Sequence, residues 1–150
     1  MNEIINAFFL NYPEEYTIGK GIKEETVLSL ENMLNVTLPK SYRQYLVKYG
    51  FVEMLGRSIF GYEPPDETTV VRYTERLLKN GLPKGFMVVE DVHEFIYCLN
   101  TNEMNGKSEC PVVCYFPYGN TVCTDEYSSI EEYLIDIIEE GIDKKMRIKG

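Results

Sequence analysis

Four cysteines, one histidine and 24 carboxylates are the side chains through which this 150-residue chain could do chemistry. Cys98, Cys110, Cys114 and Cys123 are separated by 11, 3 and 8 intervening residues. That pattern lacks the paired short spacings of a zinc finger or ribbon, so no metal is expected. A four-residue hairpin loop over Pro117–Asn120 would pair Phe116 with Thr121 and set Cys114 directly opposite Cys123. The expectation is that these two are cross-strand neighbours on one sheet face, as thiols rather than a disulfide.

His93 falls in a turn and reads as solvated surface rather than as the base of a Cys–His nucleophile. The stretch from Asn100 to Gly106 is rich in oxygen, yet it lacks the leading Asp and alternating carboxylates of a calcium loop. Turn chemistry, with Asn105-Gly106 supplying positive φ, accounts for it. No nucleophile elbow, phosphate loop or dinucleotide fingerprint is present. Glu90-Asp91 beside Glu94 would serve acid–base catalysis only if two carboxyls faced each other across a cleft, and solvated turn acids are the simpler reading. The chain is therefore expected to have no catalytic residue and no cofactor.

What the carboxylates offer is charge. The formal net charge is −9, which argues against direct nucleic-acid binding and against docking on an anionic membrane. Seven carboxylates and no basic residue lie between Asp125 and Glu140. A solvated helix face explains that run, and so does a negative patch that steers a basic partner. On the second reading the candidate partner-binding residues are Asp125, Glu126, Glu131, Glu132, Glu90, Asp91 and Glu94. Twelve tyrosines and seven phenylalanines suit either half-buried packing or amphipathic contact area.

The elements that must position these groups read clearly. Helices are expected over residues 4–10, 23–35, 39–49 and 68–80, the last capped by Asp66 or Thr68. Tyr42, Tyr45, Leu46 and Tyr49 form the apolar stripe of the third stretch from Pro39, with Gly50 as its stop. That tyrosine stripe makes a poor DNA-recognition helix. Residues 11–21 read as a loop, and 51–62 as one or two strands with a bend. Two hairpins follow: 86–90 with 94–99, and 112–116 with 121–124. A final helix opens on Ser128 or Ser129, each three residues before a glutamate, carries Ile130, Tyr133, Leu134, Ile137 and Ile138 inward, and stops at Gly141. The basic tail over 143–150 is expected to fray, and residues 1–21 to form an N-terminal extension of a single domain. Helices first, a mostly antiparallel sheet next and a closing helix define an α+β fold. The first ten residues make a poor signal peptide and no apolar run approaches a membrane span, so a cytoplasmic location is expected.

The run from Ile22 to Gly50 resembles the signature of the SUKH superfamily (Smi/Knr-like). It has a helix ending in a Leu30-Glu31 pair, then Leu38-Pro39 and an aromatic-bearing helix stopped by Gly50. Gly61, Cys110-Pro111-Val112 and the Ser129-Ile-Glu-Glu-Tyr-Leu134 helix extend the likeness over nearly everything after residue 20. It is most similar to the bacterial branch typified by YobK-like antitoxins. The resemblance implies a sheet flanked by helices and an immunity protein that neutralises a cognate toxin, frequently a nuclease, by protein–protein contact. An acidic inhibitor would cover a basic active-site groove as a phosphate mimic. A regulatory scaffold of the same fold and, less strongly, a small-ligand-binding domain are the alternatives, and exposed edge strands leave a homodimer open. The absence of Trp and the Phe51-Val52-Glu53 segment depart from the pattern.

Overall fold

The computed structural model describes residues 2–63 and 68–149, except the side chains of Thr124, Asp125, Ile148 and Lys149. Helix α1 (Glu3–Asn11) opens on Asn2, whose side-chain oxygen accepts a hydrogen bond from Ile4 N at 2.7 Å, and it buries Ile5 and Phe8. After a 3-10 turn comes strand β1 (Tyr16–Ile18). Helix α2 (Glu24–Leu34) places Glu24 and Glu25 at the positive end of its dipole. It ends on Asn35 at φ 53, a left-handed cap that asparagine tolerates.

Pro39 is the cap residue of α3 (Lys40–Tyr49) and remains extended at ψ 152, one position before the helix it was expected to begin. Strands β2 (Val52–Met54) and β3 (Arg57–Ile59) follow as a hairpin. Its two turn residues, Leu55 and Gly56, both have positive φ (52 and 77), the hand of turn that matches the twist of paired strands.

Helix α4 (Thr69–Leu78) leads to the main sheet of β4 (Phe86–Asp91), β5 (Ile96–Asn100), β6 (Val112–Phe116) and β7 (Thr121–Tyr127), antiparallel in that order. Helix α5 (Ile130–Lys149) closes the described chain. The small sheet has the order β1-β2-β3 and is joined to the large one where Phe60 N donates to Val89 O at 2.7 Å. One face of the large sheet, with Met87, Val89, Tyr97, Leu99, Val112 and Cys114, shares the main core with α1, α3 and α5. The other, with Phe86, Val88, Ile96, Cys98, Val113 and Tyr115, is met by Tyr73, Leu77 and Leu78 of α4. This is the expected α+β, SUKH-like arrangement in a single domain.

Several local expectations need correction. Residues 11–21 are not a plain loop, because β1 within them pairs with β2. The Thr68 side chain makes no cap bond; the first helical amide, Thr69 N, donates instead to the Glu63 carboxylate at 3.3 Å. Asp66, the other cap candidate, lies outside the described residues. Asn105 and Gly106 are not among the residues with positive φ; Ser108 takes that conformation, at φ 60. The Asn105 side chain organises the turn by accepting from Lys107 N and Glu109 N at 2.8 and 3.1 Å.

Gly141 does not stop α5, which carries the basic tail in helical form as far as Lys149. Lys145 is paired with Glu15, and Lys144 and Arg147 each bridge back one turn, to Glu140 at 3.3 Å and Asp143 at 3.1 Å. Gly141 is where the turn residue Leu55 presses on the helix: a Cβ there would lie 2.6 Å from Leu55 Cδ1.

Phe116 pairs with Thr121 as expected, and Cys114 and Cys123 are 4.9 Å apart at Cα. They are joined as a disulfide, however, not free thiols. Cys98 and Cys110 are buried and free.

Candidate partner-binding surface

The carboxylates singled out from sequence do not form one patch: β4 and β7 are opposite edges of the sheet, and a β-bulge turns Glu90 inward. Val88 pairs with Cys98 and Glu90 with Tyr97, so Val89 and Glu90 together oppose Tyr97. Strict alternation would put Glu90 on the α4 side with Phe86 and Val88. The extra residue turns it onto the main-core face instead. Glu90 is 3 % exposed and so is no docking residue. Its two oxygens take a double hydrogen bond from Arg57 (Nε and Nη2, each 2.6 Å), and Tyr133 Oη donates to Oε1. Arg57 neutralises the buried carboxylate, and that contact pushes the guanidinium further toward its charged form. Burial beside Glu90 raises the Tyr133 phenol well above its ordinary range.

Asp91, one position on, falls on the α4 side, where Tyr73 Oη donates to it and His93 N donates at 2.7 Å. His93 itself is exposed. Glu94, in the same turn, is exposed.

Glu126 projects from β7 opposite Val113 and is exposed. Asp125 lies in β7, and its side chain is outside the described residues. Glu131 and Glu132 stand in the first turn of α5. There Ser129 Oγ accepts from Glu132 N at 3.2 Å, while the Glu132 carboxylate accepts from Ser128 N at 2.8 Å and from Ser128 Oγ. Those bonds hold the Glu132 carboxyl below its usual range. Of the two possible caps, Ser129 is the one used.

Farther along the same solvent face come Asp136, which accepts from Tyr127 Oη at 2.6 Å, and Glu139. Glu126, Glu131 and Glu139 make no ion pair among the described residues. The sequence run thus resolves into an acidic helix face that includes Glu132, while Glu126, paired with Val113, projects from the edge strand on the α4 side of the sheet. Asp91 and Glu94 sit at a separate turn.

Sequence reasoning passed over a trough between α1 and α5. It is lined by Ile4, Ala7, Phe8 and Asn11 on one side and by Ile138, Glu139, Ile142 and Met146 on the other, with a volume of about 450 Å³. The signal was available in the periodicity of Ile138, Ile142 and Met146. It was hidden because Gly141 read as the end of the helix.

The residues that carry the family likeness have structural employment. Glu31 is 9 % exposed; one carboxylate oxygen accepts from Leu38 N and the other from Arg43 Nη2, both at 2.7 Å. It thereby clamps the α2–α3 turn that Leu38-Pro39 forms. Tyr42 Oη donates to Phe60 O at 2.8 Å and Tyr45 Oη to Ile59 O at 2.7 Å, while Tyr45 Oη also accepts from Val52 N at 2.9 Å. The tyrosine stripe therefore ties α3 to the β2–β3 hairpin.

No group of His, Cys, Asp and Glu able to hold a metal occurs among the described residues, and no described helix is long and apolar enough to cross a membrane. The family model of the SMI1-KNR4 cell-wall group, SUKH_5, matches residues 1–139. The chain belongs to this SUKH family. It is also similar to a solved protein from Pseudomonas syringae pv. tomato, at 14 % identity and a TM-score of 0.70, over 93 % of this chain and 99 % of that one. At that identity the likeness speaks to the fold.

Proposed function

We propose that the chain is an immunity protein that binds and neutralises a cognate bacterial toxin by protein–protein contact, acting in the cytoplasm and without catalysing a reaction. The carrying observation is the match to a SUKH family model over residues 1–139, a family associated with binding partner proteins. The closer placement beside YobK-like antitoxins rests on the sequence resemblance.

The charge of −9 and the acids Glu126, Glu131 and Glu132 with Asp125 favour a basic partner surface, such as the active-site groove of a nuclease. Covering such a groove would exclude its polyanionic substrate. Glu90 has no part in it, and Asp91 and Glu94 would contact the partner only from a separate turn.

The test is co-expression with a toxin domain encoded beside the gene, scoring cell survival and co-purification. Rescue with a stable complex supports the reading. A folded chain that neither rescues nor co-purifies removes it and leaves the alternative, a regulatory scaffold of the same fold, which the cell-wall designation of the family favours.

A further inference from the structure

We infer that the trough between α1 and α5 is a docking site for a cationic amphipathic helix of a partner protein, two to three turns long. The inference rests on the chain being a partner-binding protein, but not on the partner being a toxin. The lining residues of α1, Ile4, Ala7, Phe8 and Asn11, recur at i, i+3, i+4 and i+7, and Ile138, Ile142 and Met146 of α5 recur every four residues. These two rows run along neighbouring helices, which pack on each other. A third helix seats in such a furrow by ridges-into-grooves packing. Ala7 keeps the floor low.

The length follows from α1, whose nine residues extend roughly 13 Å at 1.5 Å per residue. Ile4 is 42 % and Met146 66 % exposed, so apolar surface at the two helices is left open to a partner.

Charge chooses the occupant. Among the described residues, the charged ones lining the trough are Glu139 and Asp143, four apart and therefore one turn apart on the same face. Asp143 also meets Arg147 at 3.1 Å, an exposed pair in which both side chains are more than half exposed. Such a pair exchanges readily for an incoming cation. Lys or Arg residues at i and i+4 of the docking helix would meet both acids while leucine-like residues on its other stripe fill the floor.

The probe is a fluorescein-labelled 14-residue peptide with leucines at helical spacing and lysines elsewhere, titrated with the full chain by fluorescence anisotropy. Ile4→Asp and Met146→Glu each place a carboxylate in the trough while making the protein more acidic. Each is expected to weaken binding by at least about tenfold. Leu28→Asp, at an exposed α2 position outside the trough, adds the same charge and should leave the affinity within about twofold. The peptide with glutamates for lysines should not bind measurably. Circular dichroism melts confirm that each variant is folded.

Unchanged or tighter binding by Ile4→Asp would mean that general charge attraction is responsible, and would overturn the site. So would sedimentation of the wild-type chain as a dimer that Ile4→Asp dissociates, since the trough would then belong to a second copy. The co-expression rescue is read separately with the wild-type chain, so either idea can fail alone.

Discussion

Leu55, in the β2–β3 turn, lies so close to the α5 backbone that a Cβ on Gly141 would sit 2.6 Å from its Cδ1 and 3.0 Å from its Cβ. Leu55 has a positive φ of 52, so its direction is set by the turn as well as by packing. A glycine inside a helix costs roughly 0.5–1 kcal/mol relative to alanine. Gly141→Ala would therefore be stabilising if Gly141 had no neighbour. With Leu55 against it, the substitution is expected to destabilise by about 1–3 kcal/mol, as overpacking does. Urea denaturation decides the sign. The cost should shrink when Leu55→Ala is present in the same chain, as a double-mutant cycle would show.

Glu31 makes the second prediction. Glu31→Ala leaves Leu38 N and Arg43 without their buried acceptor and should cost about 3 kcal/mol. Glu31→Gln retains an acceptor for Leu38 N and should cost roughly 1 kcal/mol. Equal losses would show that charge, not the turn clamp, is what the fold requires.

The disulfide between Cys114 and Cys123, nine positions apart, closes a short loop, for which chain entropy suggests a contribution of about 2–3 kcal/mol. Reduction should lower the melting temperature by roughly 5–10 °C without unfolding the chain at room temperature. A thiol-titrating dye should find two thiols in the denatured, unreduced protein, those of Cys98 and Cys110, and four after reduction. In the native protein it should find almost none at pH 8, because burial pushes the Cys110 thiol up to about 12 and Cys98 higher still. Four thiols without reductant would restore the expectation of free cysteines.

Alkaline pH supplies a fourth test. Burial raises the phenols of Tyr42, Tyr45 and Tyr133 well above their ordinary value near 10. The folded state therefore keeps protons that the unfolded chain releases. Stability from this source is complete below pH 10 and is lost as the pH climbs beyond it. The 295 nm phenolate absorbance of these three should appear only together with loss of the far-ultraviolet dichroism. Tyr133→Phe removes one such phenol, but it also takes a donor from Glu90 and should lower stability at pH 7.

Much of this architecture was legible because apolar periodicity is a collective signal: five inward residues from Ile130 to Ile138, or the Tyr42–Tyr49 stripe, outvote any one local irregularity. What escaped are features in which a single residue changes the phase. Glu90 changes faces through a one-residue bulge that no strand pattern marks. β1 is three residues long, too short to show alternation, and exists because β2 offers it an edge. Gly141 carries the same letter whether it ends a helix or makes room for Leu55. The acidic character of the candidate surface was readable from composition. Its division between two regions follows from the strand order, which sets β4 and β7 at opposite edges of the sheet.

The ladder between β6 and β7 has one further consequence. Between the pairs Val113–Glu126 and Tyr115–Val122, one residue of β6 faces three of β7, and the bridge from Cys114 to Cys123 fastens the irregularity in place. β7 is the last strand of its sheet, the position at which another chain could continue the ladder. Its outward donors and acceptors are out of step after Val122, so an approaching strand finds only short stretches on which to register. Such a broken edge is a poor template for a strand from another copy, so fibril growth is not expected to start at this rim.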